Sequence, residues 1–166
     1  MAKFNLKKLG VKPKDIMEFP QGLIGFSSAK RFVLLDEPSS KRFMWLASVD
    51  RPDLSFLVAR AEDIVADYNV GAAAERSDSF GLGSAGAAEV FLIVTVPKNP
   101  VEATANLRSP VLINTKTKQG LQIVLDEPNY PVQYPILEEH ASVKSGSTWP
   151  PATSRVPSTC NEIPTG

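Results

Sequence analysis

Residues 95–126 read Thr-Val-Pro-Lys-Asn-Pro-Val-Glu-Ala-Thr-Ala-Asn-Leu-Arg-Ser-Pro-Val-Leu-Ile-Asn-Thr-Lys-Thr-Lys-Gln-Gly-Leu-Gln-Ile-Val-Leu-Asp, two apolar, β-branched runs around a polar hinge. The run 90–96 leading into it is apolar at nearly every position, as in a strand buried on both faces, and Pro97 and Pro100 remove two ladder donors and end it. A loop must follow. Residues 111–115 and 121–125 then read as two further strands, joined by a hairpin loop over 115–120 in which Gly120 is expected to supply a positive φ. Thr104, Asn106, Arg108 and Asn114 set hydroxyl, amide and guanidinium groups into otherwise oily sequence, where such side chains bond either the backbone or a partner. The pattern points to a recognition surface more than to a reaction centre.

Working outward, residues 31–36, 43–48 and 55–60 are short β-prone runs bounded by Pro, Ser, Asp or Lys, with spacing suited to antiparallel neighbours. Helix candidates are confined to 61–66 and 27–30, both too short to stand without docking. The fold class expected is therefore mostly β, a small antiparallel β-barrel-like domain with one or two short helices. That domain spans 1–138. Residues 139–166 are rich in Ser, Thr and Pro, cannot bury enough to fold alone, and are expected to be a disordered tail in which Trp149 is the one aromatic oddity. Residues 71–88, rich in Gly, Ala and Ser, read as a surface insertion. Within them Gly81 to Gly86 matches the spacing of a dinucleotide-binding loop, but the strand follows the pattern where it should precede it, so the match reads as accidental.

At 166 residues and 43% hydrophobic, the chain suits one domain with a single sizeable core. The formal net charge is zero, with a pI near 6.6, so the whole-chain field offers no strong pull on nucleic acid phosphates. Its distribution is uneven. Residues 3–14 hold Lys3, Lys7, Lys8, Lys12 and Lys14 and no acid, while the acids of residues 50–102 outnumber the bases there. The single cysteine, Cys160, permits no intramolecular disulfide; with no apolar run long enough for a signal peptide or a membrane span, a cytoplasmic location is expected, with no membrane partner.

Chemistry is hard to find in the residues. The only histidine, His140, stands at the start of the tail, there is no Gly-x-Ser-x-Gly elbow, and nothing has metal-ligand spacing, so no catalytic residue, metal or cofactor is assigned. An alternative is a β-barrel enzyme using converging carboxylates drawn from Asp50, Asp53, Glu62 and Asp63, although turn and helix-cap roles explain these more simply. A direct RNA-binding module is the other alternative, disfavoured by the neutral charge and by the lack of a basic patch interleaved with aromatics.

Several segments in order carry a resemblance. They are Phe19-Pro20-Gln21-Gly22-Leu23-Ile24-Gly25-Phe26, Arg31-Phe32-Val33-Leu34-Leu35, Met44-Trp45-Leu46-Ala47-Ser48-Val49-Asp50-Arg51-Pro52-Asp53-Leu54-Ser55-Phe56, Ile93-Val94-Thr95-Val96-Pro97, and Thr104-Ala105-Asn106-Leu107-Arg108-Ser109-Pro110-Val111-Leu112-Ile113-Asn114 leading to Gln122-Ile123-Val124-Leu125-Asp126. The chain resembles the flagellar assembly factor FliW family over residues 4 to about 137. The resemblance implies a non-enzymatic, chaperone-like regulator that antagonises the translational repressor CsrA, also binds flagellin, and does not itself bind nucleic acid. It further implies partner contacts at Asp53, Thr104, Asn106, Arg108 and Asn114. Family members commonly carry an acidic segment where this chain has residues 71–88, and often Pro where it has Ile24.

Overall fold

Apolar residues at nearly every position along the central strands give the sheet two sticky faces, and the chain buries both. In a computed structural model that describes residues 3–71, 88–126 and 128–136, nine strands form one sheet: β1 Met17–Glu18, β2 Arg31–Glu37, β3 Ser40–Ser48, β4 Ser55–Arg60, β5 Ala88–Thr95, β6 Thr104–Ala105, β7 Val111–Asn114, β8 Gln119–Gln122 and β9 Tyr134–Pro135. The order is β4-β3-β2-β1-β8-β7-β5-β6-β9, and β4 also pairs with β5. That extra pairing makes β1, β2, β3, β4, β5, β7 and β8 a ring of hydrogen-bonded neighbours, with β6 and β9 as a flap beside β5. One joint departs from the antiparallel expectation: β1 meets β8 in parallel, through Glu18 and Gln119.

Cross-strand partners share a face, so the registers sort the core. Met17, Phe32, Leu46, Val58, Phe91, Val111 and Ile113 belong to one buried cluster fed by six of the ring strands. The alternate residues Phe43, Trp45, Leu57, Ala59, Leu92 and Val94 form a second cluster on the other face, covered by α1 (Ala61–Ile64), Phe4 and the β6–β9 flap. The strand absent from the first cluster is β8, whose residue opposite Ile113 is Gly120. Phe19 takes that space. A methyl group on Gly120 would coincide with the Phe19 ring, which is fully buried and packs edge-on to Phe32 at 5.2 Å between centroids.

Phe19 is delivered there by the segment that follows β1. Gly22 adopts a φ of +68°, and a side chain there would strike the backbone of Phe26 and Ser27. The turn it allows buries Leu23 and leaves Ile24 exposed, with the Ile24 amide donating to Gln122 Oε1 at 2.8 Å. Residues 27–30, expected as a helix candidate, instead complete this sequence of turns, because the Phe26 carbonyl is already used by Ala29 in a single 3.1 Å bond and no second helical bond follows.

Three other expectations are corrected. Gly120 does not supply the positive φ of the β7–β8 hairpin; Lys118 does, at φ 59°, while Gly120 sits in the strand for the close approach of Phe19. The strand expected over 121–125 ends at Gln122, beyond which Ile123 and Leu125 bond singly to the Pro110 and Arg108 carbonyls. The helix expected over 61–66 closes at Ile64. The Gly81 to Gly86 pattern, His140, Trp149, Cys160 and the tail 139–166 lie outside the described residues.

Polar groups finish the joints. Glu37 is buried at the β2–β3 turn, accepting from Trp45 Nε1 at 2.7 Å on one oxygen and from the Ser39 amide and hydroxyl on the other. Asp50, in the β3–β4 turn, accepts from the Lys30 and Arg31 amides at 2.8 and 2.9 Å and from Arg31 Nε and Nη2 at 2.8 and 2.7 Å. Burial tends to raise its pKa, but the two backbone bonds and the Arg31 guanidinium outweigh it and hold the carboxyl below its ordinary 3.8.

Gly120→Ala should cost about 1–3 kcal/mol of unfolding free energy by overpacking, and urea titration of the Phe19→Leu, Gly120→Ala pair should recover part of that cost. Strictly additive losses would mean that the two positions do not share the space. Because the folded pKa of Asp50 is depressed, its contribution is present above the unfolded value and is lost as pH falls below 3.8 and through the folded pKa. The thermal midpoint gap between wild type and Asp50→Asn should therefore be open at neutral pH and shrink on acidification below that value.

Candidate functional site

The polar hinge noticed in the sequence lies where the ring meets its flap. Thr104 and Ala105 of β6 pair with Thr95 and Val94 on one side and with Pro135 and Tyr134 on the other, so this short strand has a neighbour on both edges. Asn106 follows, half-buried, and its side-chain oxygen accepts from the Arg108 and Ser109 amides at 3.0 and 3.1 Å. An Asn that bonds the backbone two and three residues ahead shapes a turn from within. Arg108 reaches across the turn, donating from Nε to the Tyr130 carbonyl at 3.2 Å.

Two tyrosines that the sequence did not single out clamp this turn. The Leu107 amide donates to the Pro131 carbonyl at 3.0 Å, and the Leu107 carbonyl accepts the Tyr68 hydroxyl at 2.5 Å. Tyr68 stacks on Tyr130 with ring centroids 4.7 Å apart, and the Tyr130 hydroxyl accepts the Asn69 amide at 2.9 Å. Burial, with Tyr130 adding to it, pushes the Tyr68 phenol far above its ordinary 10.0, so it stays a hydrogen-bond donor across the physiological range. Held by carbonyl and amide alike, residues 104–109 form a stiff edge with little entropy to lose on contact.

The remaining sequence candidates fall in three places. Asn114 is 1% exposed and bonds the Lys116 and Thr117 amides of the β7–β8 turn at 2.9 and 3.1 Å. As a direct partner contact it is corrected: a side chain with no exposed surface shapes its hairpin and offers a partner nothing to touch. Asp53 stands on the tip of the β3–β4 turn with a side chain 61% exposed and Arg51 Nη2 4.0 Å away. Glu62 and Asp63 are exposed on α1, where Arg42 Nη2 donates to the Asp63 carbonyl at 2.7 Å.

The four carboxylates of the enzyme alternative do not converge. Asp50 is spent on Arg31 and Lys30, Asp53 borders a groove with Lys3, Phe4, Leu6, Lys7, Val49 and Pro52, and Glu62 borders a different cleft of about 330 Å³ with Tyr68, Asn69 and the Arg60–Glu89 ion pair. Neither hollow brings two of the four together. Among the described residues no three His, Cys, Asp or Glu side chains gather as metal ligands, and no helix is long and apolar enough to cross a membrane. What the arrangement offers is an exterior of rigid turns, with Thr104, Arg108 and Asp53 as its outward polar groups.

Comparison with known proteins agrees with this architecture. The family model described as FliW protein matches residues 2–136. The flagellar assembly factor FliW of Caldanaerobacter subterraneus subsp. tengcongensis is 33% identical over 139 residues, covering 81% of this chain and 93% of that protein. Its counterparts in Bdellovibrio bacteriovorus and Geobacter sulfurreducens are 34% and 33% identical, covering 76% and 83% of this chain and 72% and 86% of theirs. A crystal structure of the flagellar assembly factor FliW superposes with a TM-score of 0.69 at 28% identity, over 76% of this chain and 88% of that one. With the fold, the ordered motifs and the relatives in agreement, this chain belongs to the FliW family of flagellar assembly factors.

Proposed function

We propose that this chain is a cytoplasmic protein antagonist of the translational regulator CsrA that also binds flagellin, the two partners excluding one another. The observation that carries the proposal is the family match over residues 2–136, which takes in the ring, the flap and every turn described above. Free flagellin occupies the factor, CsrA is released, and CsrA then represses translation of flagellin message until export drains the pool. Antagonism acts through a CsrA surface away from its RNA groove, so it is a coupling between two sites of CsrA. The clamped turn supports this role, because a binding edge that is already rigid loses little freedom when it docks.

Asp53, Thr104 and Arg108 are the proposed contacts, being exposed or half-buried on turns or, for Thr104, on the short strand β6. Asn106 acts one step behind them by setting the Leu107–Ser109 turn. Labelled CsrA should bind the full chain and be displaced by unlabelled flagellin in an anisotropy titration. Failure to bind CsrA, or a ternary complex with both partners seated, would refute the exchange.

Asp53→Ala should leave the thermal midpoint almost unmoved, since an exposed 4.0 Å ion pair adds little to the fold, while weakening at least one partner by about tenfold, or ~1.4 kcal/mol. Unchanged affinity for both would strike it from the contact set. Asn106→Ala strands two half-buried amides and should cost about 1–3 kcal/mol of stability or loop order, read by urea titration and by faster amide exchange at Arg108 and Ser109.

A further inference from the structure

The lysine-rich start of the chain is not a loose arm. The Lys8 and Leu9 amides bond the Asn5 side chain and carbonyl at 3.1 Å, Gly10 and Val11 bond back to Lys7 and Leu6 at 3.2 Å, and Phe4 lies against Trp45 with centroids 5.6 Å apart. Trp45 is itself fixed by Glu37 through its indole N–H. This ordered arm and the turn after β3 border an open groove of about 730 Å³ lined by Phe4, Leu6, Val49 and Pro52, with Lys3 and Lys7 beside them. Phe4, Leu6 and Val49 are half-buried and the two lysines exposed, so the floor is apolar and the lip cationic. The groove is open to solvent and roomy enough to take side chains of a docked segment.

Charge decides what fits. Residues 3–14 carry five lysines (Lys3, Lys7, Lys8, Lys12, Lys14) and no acid in a chain whose formal net charge is zero, so the positive field here is local. Asp53, the one acid on the groove and the one group shared with the contacts proposed above, has the Arg51 guanidinium 4.0 Å away to offset it. We propose that this groove docks an acidic peptide segment of a partner protein, one aliphatic or aromatic side chain seated among Phe4, Leu6, Val49 and Pro52 and flanking carboxylates paired with Lys3 and Lys7. A concave floor whose apolar groups are already half-covered suits an inserted side chain better than a lipid surface, which asks for apolar groups that protrude.

A fluorescein-labelled peptide Glu-Glu-Leu-Glu-Phe-Glu-Leu-Glu-Glu, titrated with the full chain, tests the proposal. Binding is expected, with about tenfold or greater loss when Leu and Phe are replaced by Ser, when all Glu are replaced by Lys, or in the Lys3→Glu, Lys7→Glu double variant. Raising salt from ~50 to ~300 mM should weaken the complex several-fold, as for partly exposed ion pairs. The double variant touches no packed side chain, and an unchanged thermal midpoint confirms that it folds. Absent binding, equal affinity of wild type and double variant, or lysine-dependent binding seen only with phosphatidylserine vesicles would overturn the assignment.

Discussion

Phe19 occupies the room that any side chain at residue 120 would need, and the closure of the strand ring depends on that substitution of a ring for a missing Cβ. Interiors are packed to crystal-like density, so a ring strand with no side chain of its own at that level would leave a void lined by Phe32, Val111 and Ile113. The chain fills it from outside the sheet, with the turn segment after β1, and the Gly22 turn aims that segment. Ile24, bonded through its amide to Gln122 of β8, then ties the segment across the seam it covers. The β1–β8 joint has only one residue pair in register, and the Phe19 segment supplies the contact area that so short a ladder lacks.

A second regularity is the use of side-chain carboxylates and amides to complete turns. Asn106, Asn114, Glu37 and Asp50 each accept from backbone amides near a strand end, and each therefore removes an orphan donor while fixing a corner. With corners held this way Arg108 and Asp53 on the same turns, and Thr104 on the strand leading into one of them, are presented on a stiff frame. The partner exchange proposed above would gain from such a frame, since affinity differences between partners would then reflect contacts and not loop rearrangement.

Strands were legible in the sequence wherever both local pattern and length spoke. Ser55–Arg60 falls on the expected bounds, and Arg31–Glu37 and Ala88–Thr95 lie within a residue or two of them, because apolar, β-branched runs bounded by turn residues have few other uses. The two-residue strands Met17–Glu18, Thr104–Ala105 and Tyr134–Pro135 carry no period at all and exist only through their partners. Gly120 was misread for a related reason: a glycine after a polar turn looks like a turn residue, and nothing local reveals that an aromatic ring a hundred residues upstream in the chain requires its bareness. In the polar hinge, the sequence showed that Asn106, Arg108 and Asn114 must bond something. It did not show which neighbours they would choose, nor that Tyr68 and Tyr130 would stack over Leu107, since those pairings are set by tertiary proximity alone.

The parallel union of Glu18 with Gln119 has a consequence for how the molecule comes into being. A nascent chain can hang β1, β2, β3 and β4 together as a meander soon after they leave the ribosome, but the outer edge of β1 must wait for β8, made a hundred residues later. Until then Phe19 lacks the Gly120 backbone it packs on and the outer edge of β1 is bare, a template for unwanted pairing. Long-range closure of this kind slows folding, and the young protein most needs shelter from its neighbours in the interval before β8 arrives to close the ring.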